Sequence, residues 1–385
     1  MHICLNLVGG KNWIGGAIYV QNLARSIFNL PNDEKSDLEL SIISSVGKRE
    51  FVRPIEKYVN QVYLNNKLNT LFLRSRGYLS HIFPILPSSY LNLEGIDFLY
   101  PALGRTYLPA CWGGWIPDFQ AYYLPEFFKE AHIARIKSKH KQLANHAPII
   151  VFSSEVAVRD FNKFYPKSFV PTSVLHFSTF LEPEWLEPDP RVFREKYELP
   201  EHFFLVSNQL WKHKDHNVVI EALNLLKQEG NEITVAFTGS TADPRNPQHF
   251  TQLLDKIKAY GLGRQVRILG LVPRLHQIQL MRCCLSVIQP STFEGWSTVI
   301  EDAKTLGKSI VASDFPVHME QAPANAIFFE KGNFKELSKC LLIVLQEVRP
   351  VIPTNEELRQ KNLEVTRQFA RNFLGIASDF SLRNV

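Results

Sequence analysis

The stretch 289–303 combines a turn, two carboxylates and the start of a helix. It reads QPSTFEGWSTVIEDA: a strand ends in a Pro-Ser turn, Glu294 follows, and a helix begins at Ser297 or Thr298 with Glu301 in its first turn. The first turn of a helix has unpaired backbone N–H groups and a positive dipole end, which together bind phosphate groups. Carboxylates repel phosphate but accept hydrogen bonds from neutral hydroxyls. The pattern therefore predicts a nucleotide-sugar site, with phosphates at the helix start and hydroxyls at the glutamates.

A local capping motif is the alternative explanation for the same residues. Thr298 followed three residues later by Glu301 is typical of a capping box, in which the glutamate bonds to the start of its own helix and no ligand is needed. Capping accounts for neither Glu294 nor Gly295, whose missing side chain would let a ligand approach the backbone. We favour the ligand site and leave the capping box open.

A second stretch, SNQLWKHKDH at 207–216, carries two lysines between a strand and a helix. Lys212 and Lys214 could neutralise a diphosphate, although exposed lysines more commonly form a solvated basic loop. His213 and His216 could share a helix face, but two histidines without a third ligand nearby do not predict a metal site. The chain also has no Asp-x-Asp pair. We therefore expect lysines and helix amides to bind the diphosphate without a metal.

Two glycine-containing stretches in the N-terminal half are further candidates. NWIGGAIYVQNL at 12–23 places Gly15 and Gly16 between the first strand and the first helix, where glycines allow a tight turn or a close ligand. CWGGWIPDFQAYYLPEFF at 111–128 ends a strand with Asp118 among aromatic rings. Aromatic faces beside a carboxylate suit a sugar, which has apolar C–H faces and hydroxyl edges. A helix cap beside core aromatics is the alternative for Asp118.

The composition is that of an ordinary globular protein, with 45% hydrophobic and 21% charged residues. The net charge of +5 is compatible with anionic substrates or an anionic membrane surface, and it is too small to indicate nucleic-acid binding. The five cysteines lack C-x-x-C spacing, so we expect neither a disulfide nor a zinc framework, and a reducing cytoplasm fits best. No apolar stretch is long enough to cross a bilayer and no basic leader begins the chain. We therefore expect a cytoplasmic protein, either soluble or bound peripherally at the inner membrane face.

Strand-like apolar runs alternate with helical patterns in both halves, which is typical of parallel sheets covered by helices. The segment 181–190, LEPEWLEPDP, has no periodicity and is interpreted as a linker. The expected fold is therefore α/β, with Rossmann-like doubly wound domains at 1–190 and 191–385 facing each other across a cleft, and with one or two helices at the C-terminus. The predicted strands are 3–7, 38–44, 97–100, 112–117, 149–153, 203–207, 233–238, 266–269, 285–288, 309–312 and 326–329.

Taken in order, these stretches resemble those of the GT-B glycosyltransferases, specifically family 4, which are retaining enzymes that use nucleotide sugars. LGKSIVASDFPVHMEQ at 306–321 adds to the likeness, and the EGWST and WIPDFQ variants are similar to a bacterial branch working on surface polysaccharides. The resemblance implies that 1–190 binds the acceptor and 191–385 binds the donor. The donor-binding residues that it implies are Gly15, Gly16, Gln209, Lys212, Lys214, Glu294, Gly295, Ser297, Thr298, Val299 and Glu301.

The resemblance also implies roles for these residues. Lys214, and less directly Lys212, would bind the diphosphate near the glycines, while the backbone N–H groups of residues 297–299 would bind the phosphates. Glu294 would contact sugar hydroxyls, and Glu301 would hold the ribose. The expected catalytic residues are Lys214, which stabilises the leaving diphosphate, Glu294, which fixes the sugar ring, and Asp118, which orients the acceptor or takes its proton.

The chain departs from the family pattern at three places. Six residues lie between Glu294 and Glu301, where the usual pattern has seven. Gln209 stands where many members have arginine, which removes a cation that would otherwise face the phosphates. Pro117 precedes Asp118 where many members have His-Asp, so the role of that histidine is unassigned.

We therefore expect an enzyme that transfers a sugar from a nucleoside-diphosphate sugar to an acceptor hydroxyl with retention, with no metal and no cofactor. A non-catalytic nucleotide-sugar-binding scaffold subunit and a GT-B-type epimerase are the alternatives. Basic and aromatic residues at 68–93 and 129–141 hint at a lipid-linked or other glycan acceptor. The helix after Lys129 carries Arg135, Lys137, Lys139 and Lys141, a pattern that favours a solvated helix face, with contact to anionic lipid as the alternative.

Overall fold

The computed structural model describes residues 1–10, 13–65, 95–106, 111–321, 323–324, 326–347 and 353–381. The chain folds into two compact units. Unit 1 comprises Met1–Phe119, Glu130–Phe180 and Leu363–Val385, and unit 2 comprises Gln120–Lys129 and Leu181–Asn362. The basic and aromatic stretch expected at 68–93 lies outside the described residues.

Unit 1 contains a seven-stranded parallel sheet in the order β3-β2-β1-β4-β5-β6-β7. Its strands are β1 (His2–Asn6), β2 (Glu39–Ser45), β3 (Gln61–Asn65), β4 (Phe98–Ala102), β5 (Cys111–Ile116), β6 (Ile149–Phe152) and β7 (Thr172–Val174). The five predicted strands are confirmed, whereas β3 and β7 were not predicted. These two strands lie at the sheet edges, and none of their described side chains is buried. Edge strands are less covered than inner strands, so their short sequences, QVYLN and TSV, carry a weaker signal than a fully buried apolar run.

Unit 2 contains a six-stranded parallel sheet in the order β10-β9-β8-β11-β12-β13. Its strands are β8 (Phe204–Ser207), β9 (Val235–Thr238), β10 (Val266–Gly270), β11 (Ser286–Gln289), β12 (Ser309–Ser313) and β13 (Ala326–Phe329). All six predicted strands are confirmed. Every residue of β8, β9 and β11 is buried, as expected for parallel strands covered on both faces.

Helices separate the strands in both units. Among the described residues, the α-helices of six or more residues are α1 (Ile14–Phe28), α2 (Glu130–His146), α3 (Glu155–Phe164), α4 (Pro190–Lys196), α5 (His216–Gln228), α6 (His249–Ala259), α7 (Arg274–Cys283), α8 (Thr298–Thr305), α9 (Pro316–Gln321), α10 (Phe334–Glu347) and α11 (Asn355–Ser381). Short α-helical turns occur at Asn32–Lys35, Arg49–Val52 and Gln120–Tyr123, and 3-10 helices occur at Val46–Lys48, Arg53–Tyr58, Pro125–Phe127, Pro183–Trp185 and Lys212–Lys214. Within the described ranges, no helix is both long and apolar enough to span a membrane.

The core of unit 2 lies on both faces of its sheet. On β8, Phe204 and Val206 pack in a cluster with residues of α5 and α10, whereas Leu205 packs in a second cluster with residues of α7 and α8. This alternation follows from strand geometry, in which successive side chains point to opposite faces. Unit 2 is therefore a doubly wound domain, as the sequence predicts.

The two units differ from the predicted division at residue 190. The chain passes from unit 1 to unit 2 after Phe180, and α11 begins in unit 2 but belongs to unit 1 from Leu363 onward. The end of α11 is held in unit 1 by its apolar face, since the buried Phe373 ring lies 5.2 Å from that of Tyr100. A helical pattern gives the position of the apolar face but not the sheet on which it packs.

The segment 181–190 is packed against unit 2 and does not behave as the predicted linker. Leu186 is buried, and the buried Arg282 donates hydrogen bonds to the carbonyl oxygens of Trp185 at 3.0 Å and Pro188 at 3.1 Å. The prediction was wrong because the partner of these carbonyls lies about a hundred positions away, where no local pattern could indicate it.

The turn between β1 and α1 is formed by Gly9 and Gly10, not by Gly15 and Gly16. Both earlier glycines have positive φ, and a Cβ added at Gly9 would lie 2.5 Å from the carbonyl oxygen of Trp13. Because α1 begins at Ile14, Gly15 and Gly16 lie in its first turn. A Cβ added at Gly16 would lie 3.1 Å from the Trp13 ring, so this glycine makes room for an aromatic side chain.

Candidate functional site

The strands β8 and β11 are neighbours at the point where the strand order of unit 2 reverses. From β8 the sheet continues to β9 and β10 on one side and to β11, β12 and β13 on the other. In doubly wound sheets, the loops that leave two such strands diverge, and ligands bind in the crevice at the carboxyl ends of these strands. Both of the main candidate stretches, 207–216 and 289–303, begin here.

Lys214 is positioned by a sharp turn at the start of α5. It ends the 3-10 turn Lys212–Lys214, and Asp215 follows in the left-handed conformation with φ of 47°. Aspartate is among the residues that adopt this conformation most readily. The Asp215 side chain also caps α5 by accepting a hydrogen bond from the Val218 N–H at 3.3 Å. The turn and the cap together fix the direction in which Lys214 leaves the backbone.

Lys214 and Glu294 form an ion pair at the crevice. The Nζ of Lys214 lies 2.5 Å from Oε1 of Glu294, and the two side chains are only 15% and 11% exposed. A second link ties the same loops together, because the backbone N–H and the hydroxyl of Thr292 both donate to the carbonyl oxygen of His213. The structure thus brings together two residues that were predicted separately from two different stretches.

A buried amide network orients Glu294. Gln289 donates from Nε2 to Oε1 of Glu294 at 2.9 Å, and Asn208 donates to Oε1 of Gln289 at 2.8 Å. Asn208 follows β8 and Gln289 ends β11, so each strand supplies one member of the network. Within the described part of the chain, Oε2 of Glu294 has no hydrogen-bond donor. This oxygen can accept a hydrogen bond from a ligand hydroxyl.

The helix start at α8 is capped by Ser297 and supported by Gln321. The Ser297 hydroxyl accepts from the Ile300 N–H at 3.3 Å. Gln321 accepts from the Ser297 N–H at 2.9 Å and donates to the Ser297 carbonyl oxygen at 3.1 Å. The Ser297 amide, predicted as a phosphate donor, is therefore already bonded. The amides of Thr298 and Val299, at the first two helical positions, have no partner within the described ranges.

The capping box that the sequence left open as an alternative does not form, because the cap is Ser297 and not Thr298. Glu301 turns away from the helix start: its Oε1 accepts from Lys304 at 3.0 Å and from Gln321 at 2.9 Å. Glu301 is 3% exposed, and burial raises the pKa of its carboxyl while Lys304 and Gln321 act in the opposite direction. The other carboxylate oxygen has no donor among the described residues.

Gln209 and Lys212 are held by the loop that follows β9. The side-chain oxygen of Gln209 accepts from the Ser240 N–H at 2.8 Å, and the Lys212 N–H donates to Asp243 at 3.2 Å. The Lys212 ammonium lies 5.7 Å from the centre of the Phe127 ring. The structure places both residues near the β8 end, but only Lys214 pairs with a carboxylate there.

The remaining candidates, Gly15, Gly16 and Asp118, lie in unit 1. Asp118 is half-buried and follows β5 directly after Pro117. Trp115, in the same strand, stacks on Tyr19 with ring centres 4.4 Å apart. Aromatic rings of β5 and α1 therefore pack on one another in the strand that precedes Asp118, while the aromatic environment of Asp118 itself stays a prediction.

No group of three metal-binding side chains exists among the described residues. His213 accepts a hydrogen bond at Nδ1 from Arg245 at 3.1 Å, and His216 is buried against Phe237. Burial lowers the pKa of both histidines, to about 3 for His216, so both are neutral at ordinary pH. All five cysteines are free thiols.

Sequence reasoning missed Gln289, Gln321 and Arg245. Gln289 is the last residue of β11 and Arg245 follows β9, so the rule that ligands bind at the carboxyl ends of strands could have marked both. Gln321 lies inside the quoted stretch 306–321, but no local pattern indicates that it bonds to a helix start 24 positions earlier.

Comparison with known proteins agrees with this geometry. Residues 191–362 match the family of glycosyl transferases group 1. A relative in Campylobacter jejuni, N,N'-diacetylbacillosaminyl-diphospho-undecaprenol alpha-1,3-N-acetylgalactosaminyltransferase, is 22% identical over 83% of this chain and 81% of its own.

Solved structures are similar over almost the whole chain. Alr3699/HepE of Anabaena, in complex with UDP and glucose, is 18% identical with a TM-score of 0.62, covering 98% of this chain and 95% of its own. A glycosyltransferase of Rickettsia africae ESF-5 is 15% identical with a TM-score of 0.65, covering 100% of this chain and 99% of its own.

Two parallel sheets covered by helices, together with the likeness to solved structures over almost the whole chain, define the class of protein by its fold, which is the GT-B fold of glycosyltransferases. Within that class, residues 191–362 form a glycosyl transferases group 1 domain, which contains Lys214, Glu294 and the start of α8.

Proposed function

We propose that this protein transfers a sugar from a nucleoside-diphosphate sugar to an acceptor hydroxyl, with retention of the anomeric configuration and without a metal, as a family 4 enzyme. The observation that carries the proposal is the pairing of Lys214 with Glu294 at the crevice of unit 2. The unpartnered amides at the start of α8 follow Glu294 in the same loop. A cation, a carboxylate and free backbone donors are the groups that a diphosphate and a sugar ring need.

Lys214 acts on the leaving diphosphate. As the glycosidic bond breaks, negative charge grows on the phosphate oxygen that departs, and a fixed ammonium with two helix amides stabilises that charge more than it stabilises the ground state. Only one hydrogen-bond acceptor of Lys214 lies within the described residues, the Glu294 carboxylate. The remaining ammonium protons serve the phosphates.

The two carboxylates bind hydroxyls. Glu294 uses its unpartnered Oε2 for the donor sugar, and the half-buried Gly295 lets the ring approach the backbone. Glu301 uses its second oxygen for the ribose. Gly15 and Gly16 bind near the donor phosphates, and Asp118 orients the acceptor or takes its proton.

The relatives guide the choice of substrates to be tested. The Campylobacter relative has an undecaprenyl diphosphate in its name, and the Anabaena protein was solved with UDP. We propose a uridine nucleotide as the donor and a lipid-linked acceptor in surface polysaccharide synthesis, at the cytoplasmic face of the membrane. The exposed basic residues of α2 contact the anionic membrane surface in this proposal. They are Arg135, Lys137, Lys139 and Lys141.

A ligand panel tests this function. Thermal stabilisation is measured with UDP, GDP, ADP and dTDP, each with and without EDTA, because a ligand that binds only the folded state raises the melting temperature. We expect UDP to stabilise the protein most and EDTA to change nothing. UDP-sugars are then incubated with extracts of lipid-linked glycans, and the anomeric configuration of the product is read by NMR. Stabilisation by none of the four nucleotides would contradict the proposal.

A further inference from the structure

Arg245 occupies a built turn at the carboxyl end of β9, next to the Lys214 loop. The turn is organised by Asp243, whose side chain is 1% exposed. Its carboxylate accepts from the backbone N–H groups of Arg245 at 3.0 Å and Lys212 at 3.2 Å. One buried carboxylate thus fixes the backbone of the Arg245 turn relative to the turn that carries Lys214.

The guanidinium of Arg245 is held in a defined place. Its Cζ lies 4.6 Å from the centre of the Trp211 ring, and Nη2 lies 3.1 Å from Nδ1 of His213. Nη1 donates to Oε1 of Gln120 at 3.1 Å. His213 is neutral, since burial and the nearby charges of Lys214 and Arg245 lower its pKa. Arg245 therefore lies beside His213, the residue that directly precedes Lys214 in the chain.

The charges near the crevice leave a diphosphate incompletely neutralised. Lys214 is paired with Glu294 at 2.5 Å, so this pair has no net charge. Gln209 is neutral, and its side-chain oxygen is bonded to the Ser240 N–H. Arg245 is compensated only loosely, because its Nε lies 3.5 Å from Asp243, whose oxygens also accept from two backbone N–H groups. A diphosphate carries more than one negative charge, so it requires cations besides Lys214. Lys212, whose ammonium lies 5.7 Å from the centre of the Phe127 ring, is one such cation, and Arg245 is another.

We propose that Arg245 is a second diphosphate-binding cation of the donor site, supplying the charge that is missing at Gln209. This inference rests on the proposed function. Arginine suits the role because its planar fork binds phosphate oxygens in pairs and stacks on an aromatic ring at the same time. On donor binding, the guanidinium stays on Trp211 and exchanges the Gln120 amide for a phosphate oxygen.

Calorimetry with UDP and uridine tests the role of Arg245. Wild type is compared with R245Q, R245K and the control R267Q, which removes a half-buried arginine that pairs with Glu198 on the same unit. We expect R245Q to weaken UDP binding 10- to 100-fold and to leave uridine binding unchanged, because uridine has no phosphate. R245K should be intermediate, and R267Q should match wild type.

The outcomes distinguish this inference from the proposed function. If K214A weakens UDP binding and R245Q does not, Arg245 is not a diphosphate cation, while the proposed function stands. If R245Q loses uridine and UDP binding equally, Arg245 only supports the turn, and the inference is overturned. If R245Q fails to fold, R245K is used instead, because it keeps the charge and most of the packing. Wild-type UDP affinity in R245K would then overturn the inference, and weaker UDP binding with unchanged uridine binding would support it. If wild type binds none of UDP, GDP, ADP and dTDP, the proposed function fails and the inference fails with it.

Discussion

Lys214 and Glu294 lie 80 positions apart in the chain, yet their side chains meet at 2.5 Å. The contact joins the loop after β8 to the loop after β11, the two strands between which the order of the sheet reverses. A largely buried ion pair of this kind links the stability of the domain to the chemistry of the site.

Replacing Lys214 by alanine separates these two contributions. We expect kcat/KM for transfer to fall about 100- to 1,000-fold, because one fixed positive charge facing the leaving group is lost. The melting temperature should also fall, since Glu294 is left partly buried without its counter-ion. The double variant K214A/E294Q should recover the melting temperature and none of the activity. Turnover by K214A at the wild-type rate would remove this lysine from the mechanism.

Replacing Glu294 by glutamine tests the sugar contact. The amide oxygen can still accept from Lys214 and Gln289, so the fold should be retained. We expect UDP to bind as tightly as before or more tightly, because a negative charge near the phosphates is gone, while the transfer rate falls at least about tenfold. Calorimetry with UDP and initial rates with UDP-sugars give the two quantities. Unchanged rates would assign Glu294 a purely structural role.

Two glycine substitutions compare the turn with the start of α1. Gly9→Ala should destabilise the protein strongly, because the new Cβ would lie 2.5 Å from the Trp13 carbonyl oxygen and φ is +78°. Gly15→Ala should keep or raise stability by up to about 1 kcal/mol, since the nearest atom is 3.8 Å away and alanine favours a helix. Thermal melting measures both effects. A loss of transfer in stable Gly15→Ala would support its proposed place near the donor, and full activity would argue against it.

The buried His216 makes stability depend on pH. Burial lowers its pKa to about 3, with smaller contributions from His249 and Lys214, so the folded state binds its proton less readily than the unfolded state does. The neutral His216 contributes its full stability above the unfolded pKa of about 6.5. This stability is lost as the pH falls, and the loss amounts to about 2 kcal/mol at pH 5. When the pH is lowered from 7.5 to 5, we therefore expect the melting temperature of the His216→Leu variant to fall less than the melting temperature of wild type. Parallel pH profiles for the two proteins would show that His216 does not titrate in this way.

The parts of the site that could be predicted from the sequence are those formed within one short stretch of the chain. Lys214, Glu294 and the start of α8 were recognisable because each sits in a short strand-turn-helix stretch with its own residue pattern. The sequence allowed the helix to begin at Ser297 or Thr298, since both side chains can cap a helix, and the structure selects Ser297 as the cap. The hydrogen bond from the Ser297 N–H to Gln321 could not be predicted, because the two residues lie 24 positions apart and no local pattern links them.

The sequence by itself determined the two parallel sheets, because runs of buried apolar residues that alternate with helical periodicity can be satisfied in few other ways. It also determined the chemical types available at the strand ends. Only the tertiary structure decided which of them meet: the pairing of Lys214 with Glu294, the placing of Arg245 beside His213, and the assignment of the end of α11 to unit 1. These contacts join residues that are distant along the chain, and their energies depend on burial and geometry that a one-dimensional pattern does not contain.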